Sequence, residues 1–306
     1  MGMQELVSVC VCTYKRPAGL REVLDALGRQ KGLDGFIEVV VVDNDATGSA
    51  KQAVDDFRSR TSDPPVRYFV EPQQNIALAR NRSVFEARGQ WVAFIDDDEF
   101  PEPNWLSELL ATALRYEADG VFAPVIPILP TESPPWISRG RFFEKRPQLR
   151  TGEAVSAGGT RTSNALVRAS ALKQRGELFD ARWGLTGGSD YHLFSDMLAS
   201  GSYFVWCNEA IVHERVPSAR ANVAWLLKRS IRGGQIYADR KIAVKGKRVY
   251  WELITRGMGA LGLSLLVAPL MLPFGVHRSV WWLKKGAHGI GFLVALSDYR
   301  YEPYRA

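Results

Sequence analysis

The chain has 306 residues, 46% hydrophobic and 24% charged, with 27 glycines and 16 prolines. Those values suit one large globular domain or two small ones and exclude a low-complexity chain. Three cysteines, none in a C-x-x-C pair, argue against zinc, and Cys10 and Cys12 are badly oriented for an ordinary disulfide. With no basic, apolar, small-residue leader at the N-terminus, the expected setting is reducing and cytoplasmic.

Leu6 to Cys12 is an apolar run that stops at Thr13-Tyr-Lys-Arg-Pro17, which predicts a strand and a turn. Leu20 to Gln30 carries Leu20, Val23, Leu24 and Leu27 on one helical stripe. Phe36 to Val42 is a β-branched strand ending at Asp43-Asn-Asp45, and Thr47 or Ser49 is positioned to cap the helix that follows. Val66 to Val70 predicts a third strand. Asn75 precedes a helix through Arg82 that ends near Gly89. Trp91 to Ile95 is a fourth strand, closed by Asp96, Asp97, Asp98 and Glu99 and then a Phe-Pro break. Apolar strands alternating with helices predict an α/β fold: a mostly parallel sheet with helices on both faces.

Pro103 to Leu114 reads as a helix and Gly120 to Leu129 as one strand. Residues 130–159 are rich in Pro, Gly, Arg and aromatics with little periodicity, the pattern of a functional loop. Asn164 to Val167 returns to strand character, with Asn164 open to either a ligand contact or a turn role. Gly187-Gly-Ser-Asp190 opens a helix over Tyr191 to Leu198. Tyr203 to Trp206 and Ala210 to Val212 are short strands, closed by His213-Glu214. No internal repeat is visible.

In open α/β sheets ligands sit outside the carboxyl ends of the strands. Thr13, Tyr14 and Arg16 follow the first strand, Asp43 and Asn44 the second, and Asp96 to Asp98 the fourth, so all are expected along one edge. Side chains two apart on a strand share a face, which predicts Asp96 and Asp98 together and Asp97 opposed. Two such carboxylates repel unless a cation lies between them, and oxygen ligands favour Mg²⁺ or Mn²⁺. A solvated acidic turn and a Ca²⁺ loop stay open on this stretch alone. Neither a G-x-G-x-x-G nor a G-x-x-x-x-G-K-[ST] loop follows any of these strands, so phosphates must be held by metal and side chains.

The net charge of +6 is unevenly placed: Arg215 to Arg256 holds eleven Lys/Arg against Asp239 and Glu252. A basic block can face nucleic acid, anionic lipid or a phosphorylated ligand. The sequence that follows favours an anionic membrane surface over nucleic acid. Gly257 to Val276 is a run of twenty uncharged residues, long enough to span a bilayer, but Pro269 and Pro273 interrupt it. His277, Arg278, Lys284 and Lys285 then surround Trp281 and Trp282, an interfacial signature. Cations on both sides of the run favour a segment that returns to the same face or lies in the interface, with a buried helical hairpin as the alternative. The expected division is a catalytic domain over residues 1–215 and a basic helical region with an apolar, membrane-associating tail over 216–306.

In order, Val-Cys-Thr-Tyr-Lys-Arg-Pro, Val-Val-Val-Asp-Asn-Asp, Asn-Ile-Ala-Leu-Ala-Arg-Asn, Phe-Ile-Asp-Asp-Asp-Glu, Gly-Gly-Ser-Asp and Val-His-Glu resemble family 2 glycosyltransferases. The likeness covers about residues 6–240 and is nearest the branch that builds bacterial exopolysaccharides of the succinoglycan type. The resemblance implies a GT-A fold, a nucleotide-sugar donor, a divalent metal (Mn²⁺ or Mg²⁺) and inversion at the anomeric carbon. It implies that Thr13, Tyr14 and Arg16 line the nucleotide pocket, that Asp43 meets base or ribose and that Arg80 meets base or diphosphate. Asp97 would face the ribose, Asp98 would be the main metal ligand with Asp96 supporting, and His213 would complete the metal site. Asp190 matches the general base, although Ser189 stands where the family has Glu. The residues alone leave Asp43 as a helix cap, Arg80 as a surface partner of Glu86 or Glu71, Asp190 as a first-turn carboxylate and His213 as a structural histidine. The implied partners are a UDP-sugar, UDP-glucose first, and a polyprenyl-diphosphate-linked oligosaccharide, at the cytoplasmic face of a bacterial inner membrane. A membrane-associated nucleotidyltransferase and a non-catalytic sugar-nucleotide-binding protein are the alternatives; the first usually carries a glycine-rich basic loop where Thr13 to Pro17 has no glycine.

Overall fold

The computed structural model describes residues 5–33, 36–173, 178–297 and 299. In chain order the first half forms β1 (Val7–Thr13), α1 (Pro17–Leu27), β2 (Ile37–Asp43), α2 (Lys51–Arg60), β3 (Val66–Val70), α3 (Ile76–Glu86), β4 (Trp91–Asp96), β5 (Glu99–Pro101) and α4 (Trp105–Arg115). It continues through β6 (Gly120–Phe122), β7 (Val125–Ile128), α5 (Pro135–Arg139), β8 (Ala165–Arg168), α6 (Ala169–Lys173), α7 (Ser189–Ala199), β9 (Phe204–Trp206) and β10 (Val212–Arg215). Three long helices close the chain: α8 (Val223–Lys245), α9 (Tyr250–Met271) and α10 (Val276–Val294).

A seven-stranded sheet runs in the order β3-β2-β1-β4-β8-β6-β9, and β5-β10-β7 form a small second sheet. β1, β2, β3 and β4 are parallel; β8 is antiparallel to β4 and β6. The alternation along each strand explains why the sheet is covered twice. Val9, Val11, Val39, Val41, Trp91 and Ala93 face one core with Leu20, Leu24 and Trp105. Cys10, Val40, Val42, Val92 and Phe94 face the other with Ala77, Phe179 and Phe194. Strands apolar on both faces are what a parallel sheet between two helical layers requires.

Three expectations need correction. The run Gly120 to Leu129 is two strands, because Pro124 has no N–H for a ladder; β6 stays in the main sheet and β7 joins the small one. Asn164 holds that break: it donates to the Pro124 and Ala210 carbonyls at 2.7 and 2.8 Å and accepts from the Trp105 indole at 2.7 Å. It is fully buried with φ +53°, so its turn role is the one realised. Neither Thr47 nor Ser49 caps α2; the first residue before the helix is Ala50, whose N–H is taken by the Asp43 carboxylate at 2.7 Å. His213 and Glu214 lie within β10 and do not close it.

The chain separates into two compact units. One comprises the residues up to Ile126 with Glu144–Glu214; the other comprises Pro127–Phe143 and the chain from Arg215. Within the second unit, α10 packs against both α8 and α9. α9 ends in a 3₁₀ turn, Leu272–Phe274, and Gly275 at φ +117° starts the return into α10. Among the described residues one helical run, Val223–Phe274, is long and apolar enough to cross a membrane.

Candidate active site

Strand register puts the polar residues on one edge. Thr13 pairs with Asp43 across β1 and β2, and Cys12 pairs with Asp96 across β1 and β4. β4 ends at Asp96 and the chain turns at once. Period-two alternation therefore does not continue, and Asp97 and Asp98 are not opposed. Both reach the same guanidinium: Arg16 Nη1 is 3.1 Å from Asp97 Oδ1 and 3.0 Å from Asp98 Oδ2. Thr13 Oγ1 donates to the other Asp97 oxygen at 2.8 Å. Burial pushes the Asp97 carboxyl up, against Arg16 and the Thr13 hydroxyl, which favour the anion.

Gly19, in α1, makes the turn possible. A Cβ there would stand 2.5 Å from the Asp97 carbonyl oxygen, so only glycine lets the helix approach the acidic turn this closely. Tyr14 is half-buried beside Arg16, with the Lys15 ammonium 5.0 Å over its ring.

Asp43 is fully buried and engaged inside the fold. Its oxygens accept from Asp45 N at 3.0 Å, Ala50 N at 2.7 Å and Tyr68 Oη at 2.8 Å. It thereby fixes the turn after β2. Asn44 works beside it, donating to the Glu71 and Gln73 carbonyls and accepting from Asn75 N. Asn75 in turn caps α3, accepting from Ala77 N and Leu78 N.

That cap aims Arg80 at the rim. Its Nη2 is 3.9 Å from Asp96 Oδ1 and its Nη1 donates to Ser189 Oγ at 3.3 Å. Glu86 is paired instead with Arg67 and Arg82. Ser189 is the first residue of α7, entered through Gly187 at φ +80° and Gly188 at φ +97°. Arg80 thus ties the turn that carries Asp190 to the acidic end of β4. Asp190 sits in the first turn of α7, its Oδ1 accepting from Tyr191 N at 2.9 Å.

Behind Asp96 lies a group that the sequence did not single out. Glu99 and Glu214 are opposite one another across β5 and β10. Like charges so placed repel, and Lys145 stands between them, 2.8 Å from Glu214 and 3.6 Å from Glu99. Burial alone would lower the Lys145 pKa; the two glutamates outweigh it and raise it. Glu99 Oε2 accepts from Asp96 N at 3.0 Å, fixing the last residue of β4. Burial, with the Asp96 charge added, pushes the Glu99 carboxyl up to about 8. Asp96 is raised as well, by burial first, against Arg80 and Lys145. The acidity of the Asp-Asp-Asp-Glu stretch was a signal for Glu99. Lys145 lies in the aperiodic stretch and gave none.

His213 and Glu214 are neighbours on β10 and so point to opposite faces. Glu214 faces Lys145, whereas His213 Nε2 is 3.2 Å from Glu102 Oε1. Among the described residues no three His, Cys, Asp or Glu side chains are gathered into a cation cage, so Asp96, Asp98 and His213 are not brought together as a set. The rim still suits a hard divalent ion. Asp96 and Asp98, both partly exposed at the rim, repel one another, and Glu99 Oε1 is buried without a hydrogen bond. Such ions commonly take one or two carboxylates and complete their shell with water and substrate phosphates.

An open sheet with carboxylates and arginines gathered at its strand ends is the architecture of a GT-A glycosyltransferase, and the chain belongs to glycosyltransferase family 2. The family model for glycosyl transferase family 2 matches residues 8–176. The succinoglycan biosynthesis protein ExoM of Rhizobium meliloti is 34% identical over 285 residues, covering 92% of this chain and 90% of that protein. Among solved structures, the mannosyltransferase PcManGT of Pyrobaculum calidifontis, in complex with GDP-Man and Mn²⁺, superposes with a TM-score of 0.65. It has 20% identity over 97% of this chain and 88% of its own. S. aureus TarS residues 1–349, in complex with UDP, superposes at 0.54 with 16% identity over 97% and 94% of the two chains. Membership of this family sets aside the nucleotidyltransferase alternative.

Proposed function

We propose that this glycosyltransferase inverts the anomeric carbon of a nucleotide sugar, UDP-glucose first among the donors, in building an exopolysaccharide. The acceptor is a polyprenyl-diphosphate-linked oligosaccharide presented at the cytoplasmic face of the bacterial inner membrane, with anionic lipid as the surface partner. The name of the 34%-identical relative supports the pathway class. The GDP-Man complex of PcManGT and the UDP complex of TarS support a nucleotide-sugar donor.

One observation carries the reading: Arg80 joins Asp96 to the start of α7. The leaving group and the attacking hydroxyl must be addressed from neighbouring points, and this arginine makes the two points neighbours. Asp96 and Asp98 would hold Mn²⁺ or Mg²⁺, which when bound supplies Lewis-acid stabilisation of the departing diphosphate. Arg80 adds a cation to the charge developing on the bridging oxygen. Arg16, with Thr13 and Tyr14, flanks the nucleotide; Asp97 meets the ribose, and Asp43 shapes the pocket through the turn after β2. Asp190 takes the proton of the acceptor hydroxyl as the new bond forms. Inversion needs a single displacement, so one base suffices. His213, which lies 3.2 Å from Glu102, is the further candidate to complete the metal's shell.

Incubating the purified protein and Mn²⁺ with each common nucleotide sugar, and scoring the slow hydrolysis that precedes acceptor identification, tests the donor. UDP-glucose should be hydrolysed fastest. A GDP-sugar preference would replace UDP in this reading, and no turnover of any donor would defeat it.

A further inference from the structure

From Gly257 onward α9 hides small residues, Gly257, Ser264 and Ala268, and exposes large ones, the reverse of a helix in a soluble bundle. On α9, Trp251, Met258, Leu265, Leu266 and Leu270 are 55–77% exposed, and Phe274 beyond its end is 63% exposed. No charge occurs between Gly257 and Val276. The buried seam is made of small residues. A Cβ on Gly289 would lie 2.8 Å from the Gly257 carbonyl, and one on Gly286 would lie 2.5 Å from Ser264 Oγ. α8 and α10 meet the same way, with Gly291 against the Ile231 carbonyl. Close backbone approach through small residues is how helices associate where lipid, not water, surrounds them.

From these contacts we infer that α9 and α10 form a monotopic hairpin that lies along one leaflet of an anionic bilayer. It does not cross the bilayer. The position of the cations decides between the two. Lys285 is exposed, ten residues past Gly275, and ten helical residues rise about 15 Å. An upright hairpin with its turn across the membrane would leave this ammonium near the middle of a hydrocarbon layer about 30 Å thick. Lying flat, the same residue rests at the headgroups. There the Arg278–Trp281–Lys285 stripe of α10 is an interfacial pattern, with Lys285 Nζ 3.8 Å over the Trp281 ring. The exposed apolar face of α9, about 24 Å from Met258 to Phe274 at helical rise, then enters the acyl boundary along its length. Charge complementarity selects the occupant: cations beside an uncharged apolar face fit anionic lipid.

This inference rests on the proposed membrane partner, and its test separates the two. The full chain is floated with vesicles of phosphatidylglycerol and phosphatidylethanolamine, and with phosphatidylcholine alone. Binding to the anionic vesicles is expected, with the exposed-face variant Leu265→Glu/Leu266→Glu/Leu270→Glu bound at least about tenfold less, since affinity scales with inserted apolar area. That variant should keep its circular dichroism and its nucleotide-sugar hydrolysis. A Phe274→Cys variant, made together with Cys12→Ser because Cys12 is only partly buried while Cys10 and Cys207 are buried, then reports topology against a low background. A flat hairpin protects the new thiol from an impermeant maleimide on either side. Labelling from the vesicle lumen would overturn the monotopic arrangement while leaving the membrane partner intact. Equal binding to phosphatidylcholine would overturn anionic selection. Absence of flotation with a dimer by light scattering would mean a second copy covers the face, and would overturn both.

Discussion

The acidic edge of the sheet and the C-terminal hairpin handle misplaced chemistry in opposite ways. At the edge, charged groups gather and each is met by a counter-charge: Arg16 with Asp97 and Asp98, Arg80 with Asp96, Lys145 with Glu214. In the hairpin, apolar groups are pushed outward, and among the described residues nothing covers Leu265, Leu266 or Leu270, each more than 60% exposed. Buried charge costs free energy unless paired, and exposed apolar area marks a surface for something else. The first is an arrangement for holding a charged small molecule, the second for meeting an extended apolar one.

If that contrast is right, damage at the edge should abolish chemistry and spare the membrane, and the largest effect should come from Asp190. Asp190→Asn is expected to lower the transfer rate by about 10²–10⁴-fold, the usual contribution of a positioned base, with nucleotide binding by calorimetry unchanged. Unchanged transfer would refute the assignment. Arg80→Met should come next, at about 10²-fold, the scale of losing one aimed donor to the developing charge. Arg80→Lys should rescue little, because an ammonium cannot reach Asp96 and Ser189 together. The readout is kcat against KM, with kcat carrying the loss.

Smaller effects concern the scaffold. Asn164→Ala removes the acceptor of the Trp105 indole and two donors from buried carbonyls. Urea unfolding should show a loss of roughly 1–3 kcal/mol for each group left unsatisfied, with activity per folded molecule retained. The last effect is a matter of pH. Glu99 has its folded pKa raised from 4.5 to about 8, so the folded state holds a proton that the unfolded chain has released. Its contribution to stability is complete below about 4.5 and is lost as pH rises through 8. Glu99→Gln should flatten the fall in stability across that window, measured as denaturation midpoints at pH 5 and pH 8.5. An unaltered slope would show that Glu99 is not the group responsible.

The sheet was legible because β1, β2 and β4 are apolar at nearly every position and stop at polar turns. The edge was legible because those turns all carry Asp, Asn, Thr or Arg. What failed were inferences that extended a local period beyond its element. Asp97 and Asp98 look alternate only if β4 continues past Asp96, and Gly120 to Leu129 looks continuous only if Pro124 is overlooked. Lys145 was invisible for a different reason: its partners are distant in sequence, and nothing in its own neighbourhood signals them. His213 and Glu214 show the reverse difficulty, since a motif names both while a strand sends them to opposite sides.

The central claim is that Asp96 and Asp98 hold a divalent cation against the diphosphate of the donor. Anomalous diffraction from crystals soaked with Mn²⁺ and UDP tests it directly. A manganese peak between those carboxylates and the diphosphate oxygens is the predicted result. No peak at the end of β4, together with turnover that survives a chelator, would contradict it.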